Sequence, residues 1–424
     1  MPSELNAASR FESMEADDWQ ALASQYGTPF YLLDAELARR RIQEVKEAFG
    51  GLAGVYYAVK ANPNLLLLKV LQSAADGVDI SSGGEQIQAL LAGFAASSVS
   101  FAGPAKTDVE IKAAVAAGVG CISVESLREI DACADAARQL GRTAQILIRV
   151  NPSNVHRAYG LKMGGKSSQF GIDEAELPQA EQRIQSHGAW LDCMGIHSYV
   201  GSQCFEIEAA VEATRNALRL ADESSTRLGR TCRKVNLGGG FGVAQAGQPR
   251  ELDVSGLATA LRPALSEFRA AHPQAQIFFE LGRYVVACAG MYVTSVIDVK
   301  VSRGTTYATC DGGLNHHLTA AGTFGALLRG NFPLRNLSRL HTVSEADSFC
   351  TFAGPSCNPT DLLGVQVPMA KPEIGDLLGI QMSGAYGLTA SPMLFLGRDT
   401  PPELVCVGDR IELGRRRRCM AEFN

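Results

Sequence analysis

Five groups of polar residues interrupt otherwise apolar stretches of this 424-residue chain: Lys60, Asp79, the pair His197 and Tyr199, the run Gly238-Gly239-Gly240, and Glu280 with Arg283 three residues on. Lys60 ends the run Val55-Tyr56-Tyr57-Ala58-Val59, and desolvation at the rim of a core strand shifts an amine towards the neutral form that attacks carbonyls. Taken alone, that segment is equally well read as an ion-paired lysine at a strand end. Three adjacent glycines let backbone N–H groups approach a phosphate without Cβ interference, although such a turn by itself is often only a tight bend. A carboxylate buried at Glu280 needs a cationic partner, and a protonated ring nitrogen would serve. An amine for a Schiff base, a nest and an arginine for phosphate, and an acid for a pyridinium are the parts of a pyridoxal 5′-phosphate site.

The elements that must position these residues alternate regularly. A strand over 28–34 and a helix over 35–49 are followed by strand-like runs at 55–60, 77–80, 99–102, 121–124, 146–151, 194–199, 235–237 and 277–280. Helical patterns separate them at 64–75, 84–92, 108–117, 126–140, 174–186, 207–228 and 254–271. Eight strand–helix repeats over about 250 residues are the arithmetic of an α/β (β/α)8 TIM barrel, with an open doubly wound sheet as the competing layout. In a barrel, chemistry gathers at the C-terminal ends of the strands, where Lys60, Asp79, His197, Tyr199, the glycine run and Glu280 all fall. Beyond Gly290 the pattern turns β-rich, at 292–302, 307–309, 349–352, 376–381 and 403–407, which predicts a second, mainly antiparallel β domain. The expected division is an N-terminal arm and strand over 1–34 that joins the β domain, a barrel over 35–288, and the β domain over 289–424.

Composition narrows the function classes. Hydrophobic residues at 46% and charged residues at 20% describe a globular chain, and a net charge of −5 leaves no electrostatic footprint for nucleic acid or an anionic membrane. The four arginines Arg415 to Arg418 read as a solvated or subunit-facing surface, with a docking patch for an acidic partner as the sharper alternative. Eleven cysteines with no C-x-x-C pair argue against a disulfide framework or a zinc site. The first 18 residues carry no apolar leader pattern and no stretch has spanning length, so a cytoplasmic protein is expected.

Over residues 29–405 the sequence resembles the fold type III pyridoxal phosphate-dependent decarboxylases, the ornithine and diaminopimelate decarboxylase family, whose fold is that of alanine racemase. The likeness rests on YAVKANPN at Lys60, DISSGGE at Asp79 and Glu85, GPAKT at Lys106, SQFGI at Phe170, GSQ at Ser202, LGGGFG at Gly238, ELGR at Glu280, GPSC at Cys357 and GAYG at Tyr386. The resemblance implies that Lys60 holds the cofactor covalently, that Glu280 pairs with its ring nitrogen, and that Asp79 and Tyr199 belong to the cofactor site. It implies that Gly238, Gly239, Gly240, Ser202, Arg283 and Tyr386 hold the phosphate. It further implies a homodimer with shared active sites, in which Cys357 comes from the partner subunit to reprotonate the product carbon. An acid rather than an arginine against the ring nitrogen favours decarboxylation over racemisation.

The chain departs from the familiar pattern in ways that bear on substrate. Tyr199 stands where a histidine usually covers the ring, with His197 two residues earlier on the same strand face. Asn358 follows Cys357 in place of a carboxylate that reads a distal ammonium, although Asp361 is present. The arginine segment that grips a distal carboxylate in diaminopimelate decarboxylases is not recognisable; its region holds DGGLNHH, with His316 and His317, and residues 320–325. Tandem histidines suggest a metal, but with no third ligand at a recognisable spacing they are expected to contact substrate or a loop. Together DGGLNHHL, GPSCNPTDLL and SGAYGLTASPMLFL resemble a narrower branch acting on carrier-tethered or conjugated amino acids, in aminoglycoside side-chain, siderophore and exosortase-associated systems. The expectation is an α-decarboxylase (carboxy-lyase) of a conjugated amino acid, carrier-bound or citryl, with His197, His316, His317, Asn358 and Asp361 as candidate substrate contacts. Diaminopimelate decarboxylation is the alternative within the class, and a non-catalytic binding protein the alternative outside it.

Overall fold

Strands covered on both faces read as continuous apolar runs, and the barrel strands do so: Val55 to Ala58 are all buried in Gly54–Ala58, as are all four residues of Gly77–Ile80 and of Cys121–Val124. The computed structural model describes residues 9–245, 250–321, 330–340 and 348–423. They fall into two units, one of residues 39–243 and 250–284 and a second of the described residues within 1–38, 244–249 and 285–424.

In the first unit the strands Gly54–Ala58, Gly77–Ile80, Val99–Phe101, Cys121–Val124, Ala144–Asn151, Leu191–Ser198, Lys234–Gly239 and Gln276–Leu281 pair in that order, all parallel. Gln276–Leu281 then pairs back with Gly54–Ala58 and closes the barrel. An open sheet is therefore excluded. Helix boundaries follow local capping chemistry. Asn64 Oδ1 accepts from Leu66 N at the start of Leu65–Leu71, Ser126 Oγ accepts from Glu129 N ahead of Leu127–Leu140, and left-handed Gly118, Gly141 and Gly229 end three of the helices.

Two local features depart from the sequence reading. The strand expected over 55–60 stops at Ala58, and Lys60 sits in a 3-10 turn, Val59–Ala61, ahead of Pro63. Tyr159–Lys162 and Gly201–Cys204 form an antiparallel two-stranded ribbon that no apolar alternation announces.

The second unit is built on Gly290–Ser302, a 13-residue strand long enough to pair antiparallel with Phe30–Asp34, Thr305–Cys310 and Leu377–Ile380. Phe30–Asp34 also pairs in parallel with Glu403–Val407, which turns back into Arg410–Arg415. Leu334–Asn336 and Leu362–Pro368 complete a sheet whose pairings are mainly antiparallel. Three of the four arginines near its last strand are engaged within the unit. Arg415 pairs with Glu403 at 2.7 Å, Arg416 with Glu422 at 3.0 Å, and Arg417 Nη2 donates to the carbonyls of Tyr26, Gly27, Thr28 and Pro29. Among the described residues no helix is long and apolar enough to cross a membrane.

Candidate active site

Parallel register brings the barrel's polar residues to one level. Glu280 pairs with Tyr56 and with Gly239, Asp79 with Ala58, and His197 with Asn236 and Arg149. The turn carrying Lys60 is held from below: the Tyr57 hydroxyl donates to Asn62 O at 3.0 Å, and Asn62 Oδ1 accepts from Asn64 N at 3.1 Å. A Cβ on Gly282 would stand 2.9 Å from Ala61 Cβ, so the turn after Glu280 packs directly on the Lys60 turn. Lys60 is exposed, with Nζ 5.8 Å from the centre of the half-buried Tyr199 ring.

Glu280 is 4% exposed, and its Oε2 accepts from Asn236 Nδ2 at 2.9 Å. Asn236 Oδ1 in turn accepts from Gly238 N at 2.9 Å. One fully buried amide thus ties the carboxylate to the glycine turn, and it requires a correction: the Gly238 N–H points back to Asn236, so the turn does not offer three outward amides. The glycines are needed for close approach. A Cβ on Gly239 would lie 2.1 Å from Glu280 O, and one on Gly240, whose φ is +81°, would lie 2.0 Å from Gly201 O. That second contact sets the turn against Gly201–Cys204, the ribbon strand carrying the half-buried Ser202. Arg283 opens the single helical turn Arg283–Val286 after Glu280.

His197 lies inside rather than over this level. It is wholly buried, Nδ1 is 3.0 Å from Ser123 Oγ, and Nε2 is 3.3 Å from Glu280 Oε2 without hydrogen-bond geometry. Burial pushes its pKa well below the usual range, and the positive charges of Arg149, Lys60 and Lys106 act the same way, so the ring is neutral. Asp79 is also fully buried, and neither carboxylate oxygen has a hydrogen-bond partner. Burial raises its pKa well above the carboxylate range, the charge of Glu280 reinforces that, and Lys60 opposes it.

A second buried network was not singled out as a site from sequence. Glu125 Oε1 accepts from Arg149 Nη1 at 2.7 Å and from Gly103 N at 2.6 Å, while Oε2 accepts from Gly171 N at 3.1 Å. Lys106 Nζ lies 2.9 Å from Glu129 Oε2 and donates to Gly103 O. The Arg149 guanidinium stands 5.0 Å from the Phe170 ring. The available signals were Arg149 and Asn236, polar residues inside otherwise apolar barrel strands.

In the second unit Cys357 is one of two exposed thiols among the described residues, the other being Cys419. Its neighbour Asn358 is exposed, and its Oδ1 accepts from Thr360 N at 3.0 Å and Thr360 Oγ1 at 2.9 Å. Asp361 is 2% exposed, with Oδ1 accepting from Leu314 N at 2.6 Å and Oδ2 from Ser356 N at 3.0 Å. Its carboxylate is therefore committed to backbone amides. His316 and His317 lie in the unit's interior. His317 Nε2 is 2.8 Å from Ser383 Oγ, among the rings of Tyr31, Tyr292 and Phe332, while His316 Nε2 meets Asp399 O at 3.0 Å. Among the described residues no group of three His, Cys, Asp or Glu is arranged to hold a metal. Tyr386 is half-buried with φ +53°, and its carbonyl accepts from Thr319 Oγ1 at 2.7 Å. Residues 322–325 of the stretch singled out after the histidines lie outside the described residues.

Comparison with known proteins agrees with this geometry. A family model described as pyridoxal-dependent decarboxylase, pyridoxal binding domain, matches residues 35–287. The L-glutamyl-[BtrI acyl-carrier protein] decarboxylase of Niallia circulans is 35% identical over 402 residues, 94% of this chain and 93% of that relative. The diaminopimelate decarboxylase of Neisseria meningitidis serogroup A is 31% identical over 403 residues, 95% of each chain. The crystal structure of Helicobacter pylori diaminopimelate decarboxylase complexed with L-lysine superposes with a TM-score of 0.84 at 28% identity, covering 95% of this chain and 98% of that one. The barrel residues fit pyridoxal phosphate. Asp79 Oδ1 and Oδ2 and His197 Nε2 are buried polar atoms without hydrogen-bond partners, at the level that also holds the buried carboxylate of Glu280.

Proposed function

We propose that this chain, which belongs to the pyridoxal-dependent decarboxylase family, removes the α-carboxylate from an amino acid whose far end is conjugated as a thioester, amide or citryl group. Bound pyridoxal phosphate supplies the electron sink for the pair left behind when CO2 departs. Lys60 Nζ holds it. Glu280, oriented by Asn236, is the carboxylate that would pair with its ring nitrogen, and His197, whose pKa burial pushes well below the usual range, would stay neutral beside it. Tyr199 would contact the ring, Ser202, Arg283, Tyr386 and the turn at Gly238, Gly239 and Gly240 would bind the phosphate, and Asp79 would belong to the same cofactor site. Cys357, contributed by the partner subunit of a cytoplasmic homodimer, delivers the proton that replaces the carboxylate.

The substrate class rests on Asn358. Because its Oδ1 already accepts from both the N–H and the hydroxyl of Thr360, the amide NH2 is what the side chain has left to offer a ligand. Beside the thiol stands a neutral donor that suits a carbonyl oxygen, not an acceptor that suits an ammonium. The likeness to a decarboxylase named for glutamate on an acyl-carrier protein supports the same reading, and siderophore-type or other secondary metabolism is the setting that reading suggests. Diaminopimelate is the second reading, favoured by the 31% identity to enzymes named for it.

The test is CO2 release by the cofactor-loaded protein from free diaminopimelate, lysine, ornithine and glutamate, from citryl-amino acids, and from glutamate on an acyl-carrier protein. Release from conjugates alone is expected. Brisk release from free diaminopimelate with none from a conjugate would replace the first reading by the second.

A further inference from the structure

The arch that presents Cys357 is fastened at both sides of the thiol by one buried residue, through its side chain on one side and its backbone on the other. Asp361 Oδ2 accepts from Ser356 N at 3.0 Å, immediately before Cys357, and the Asp361 N–H donates to Asn358 O at 3.0 Å, immediately after it. The arch is closed again where Gly354 N donates to Asp361 O at 2.9 Å, and Asn358 N donates to Ser356 Oγ at 3.4 Å. The other carboxylate oxygen reaches the separate loop at Gly312, Gly313 and Leu314, accepting from Leu314 N at 2.6 Å. The space around the carboxylate admits no side chain: a Cβ on Gly313 would lie 2.4 Å from Asp361 Oδ1, and one on Gly354 would lie 2.2 Å from it. An exposed thiol is thus carried on a short arch whose two flanking residues are both fixed to a residue 2% exposed.

We propose that Asp361 is a positioning residue for the Cys357 thiol: its carboxylate locks the arch to the Gly312–Leu314 loop and so sets where the proton is delivered, without itself touching substrate. This rests on the reading of Cys357 as the proton donor. A carboxylate accepting two backbone N–H bonds cannot be replaced by a neutral amide without turning an NH2 group against one of those donors. Asp361→Asn therefore loosens one side of the arch while changing side-chain volume very little. Displacing a reacting group by about 1 Å costs up to roughly a hundredfold in rate.

The experiment compares wild type, Asp361→Asn and Cys357→Ser as cofactor-loaded proteins. Alkylation by iodoacetamide is read by mass spectrometry, with exposed Cys419 as the internal reference, and turnover of glutamate on an acyl-carrier protein is followed in D2O. For Asp361→Asn the Cys357 to Cys419 alkylation ratio is expected to change at least about threefold, kcat to fall about tenfold or more, and deuterium to enter the product carbon without stereospecificity. A folded Asp361→Asn protein with the wild-type alkylation ratio and stereospecific deuterium incorporation overturns the proposal. Should that variant not fold, hydrogen exchange on the wild type decides: protection of the Ser356 and Leu314 amides supports the lock, and exchange at free-chain rates overturns it. Cys357→Ser at full turnover with stereospecific deuteration would overturn the reading of Cys357 as proton donor, leaving the alkylation ratio to judge Asp361.

Discussion

The barrel and the β unit both bury a carboxylate and histidines, and they treat those carboxylates and rings in opposite ways. In the β unit each oxygen of Asp361 and Asp311 accepts hydrogen bonds, and both ring nitrogens of His316 and of His317 have partners within 3.4 Å. In the barrel both oxygens of Asp79 and Nε2 of His197 have none. A buried unsatisfied polar group costs about 1–3 kcal/mol, so a folded chain carries several at one level only where something else completes them. The carboxylates and imidazoles of the β unit hold loops, with Asn315 Oδ1 the atom left over beside them, whereas the barrel group, with three such atoms, is the one proposed to receive a ligand. The signal lies in the partners left over after folding, not in the residue types, which are alike in the two places.

The largest effect that would break this contrast is at the amine. Lys60→Ala is expected to lower CO2 release about a thousandfold or more and to remove the visible absorbance of the lysine-bound cofactor. Retention of that absorbance would mean that the barrel cluster is not the cofactor site. Glu280→Gln keeps the shape and removes the charge, and should lower kcat about a hundredfold or more while the cofactor stays bound, since fixed charge aimed at a reacting centre is worth that much. An unchanged kcat would place the ring nitrogen elsewhere.

Smaller effects sharpen the contrast through pH. Burial lowers His317 to about 3 and, against an opposing hydrogen bond to Asp399 O, lowers His316 to about 4. A histidine held below its unfolded value near 6.5 contributes its stability fully above that pH and loses it as pH falls towards the folded value. Melting temperature should therefore decline from about pH 6.5 towards 4. His197 adds to that decline from the barrel. His317→Gln should make it shallower, and an unchanged slope would show that this ring does not titrate with unfolding. Asp79 has the opposite sign, because a carboxyl whose folded pKa is raised weakens the fold increasingly as pH climbs past its unfolded value. Cofactor-free Asp79→Asn should melt slightly higher than wild type at pH 8, with the gap closing on acidification. A gap that widened in acid would reverse the assignment.

Much of this was legible in the chain. Buried parallel strands advertise themselves as apolar runs, so all eight barrel strands and the helices 108–117, 207–228 and 254–271 could be located, and with them Asp79 and Glu280 towards strand ends and Lys60 in the turn just beyond one. The ribbon of Tyr159–Lys162 and Gly201–Cys204 could not, because a short strand such as Gly-Ser-Gln-Cys carries no apolar period. Strand Leu362–Pro368 was missed next to Pro359, and Arg410–Arg415 because none of its residues is buried. Asp361 looked like a substrate contact beside Cys357; that its oxygens belong to Ser356 and Leu314 is a matter of how two loops meet, which no spacing encodes. The Asn236 bridge depends likewise on a pairing between strands more than forty residues apart.

The strand Phe30–Asp34 has a consequence for how the chain is made. All five of its residues are buried, yet its antiparallel partner begins at Gly290 and its parallel partner at Glu403. At a ribosome adding about 5–20 residues per second, roughly 13–50 s pass before the first partner emerges, and roughly 20–75 s before the second. The barrel strands all lie between, so the barrel has its full complement of strands while an apolar edge at the start of the chain is still unpaired. This β unit is closed last although its first strand is made first, and that interval is when the nascent chain depends most on being shielded from its neighbours.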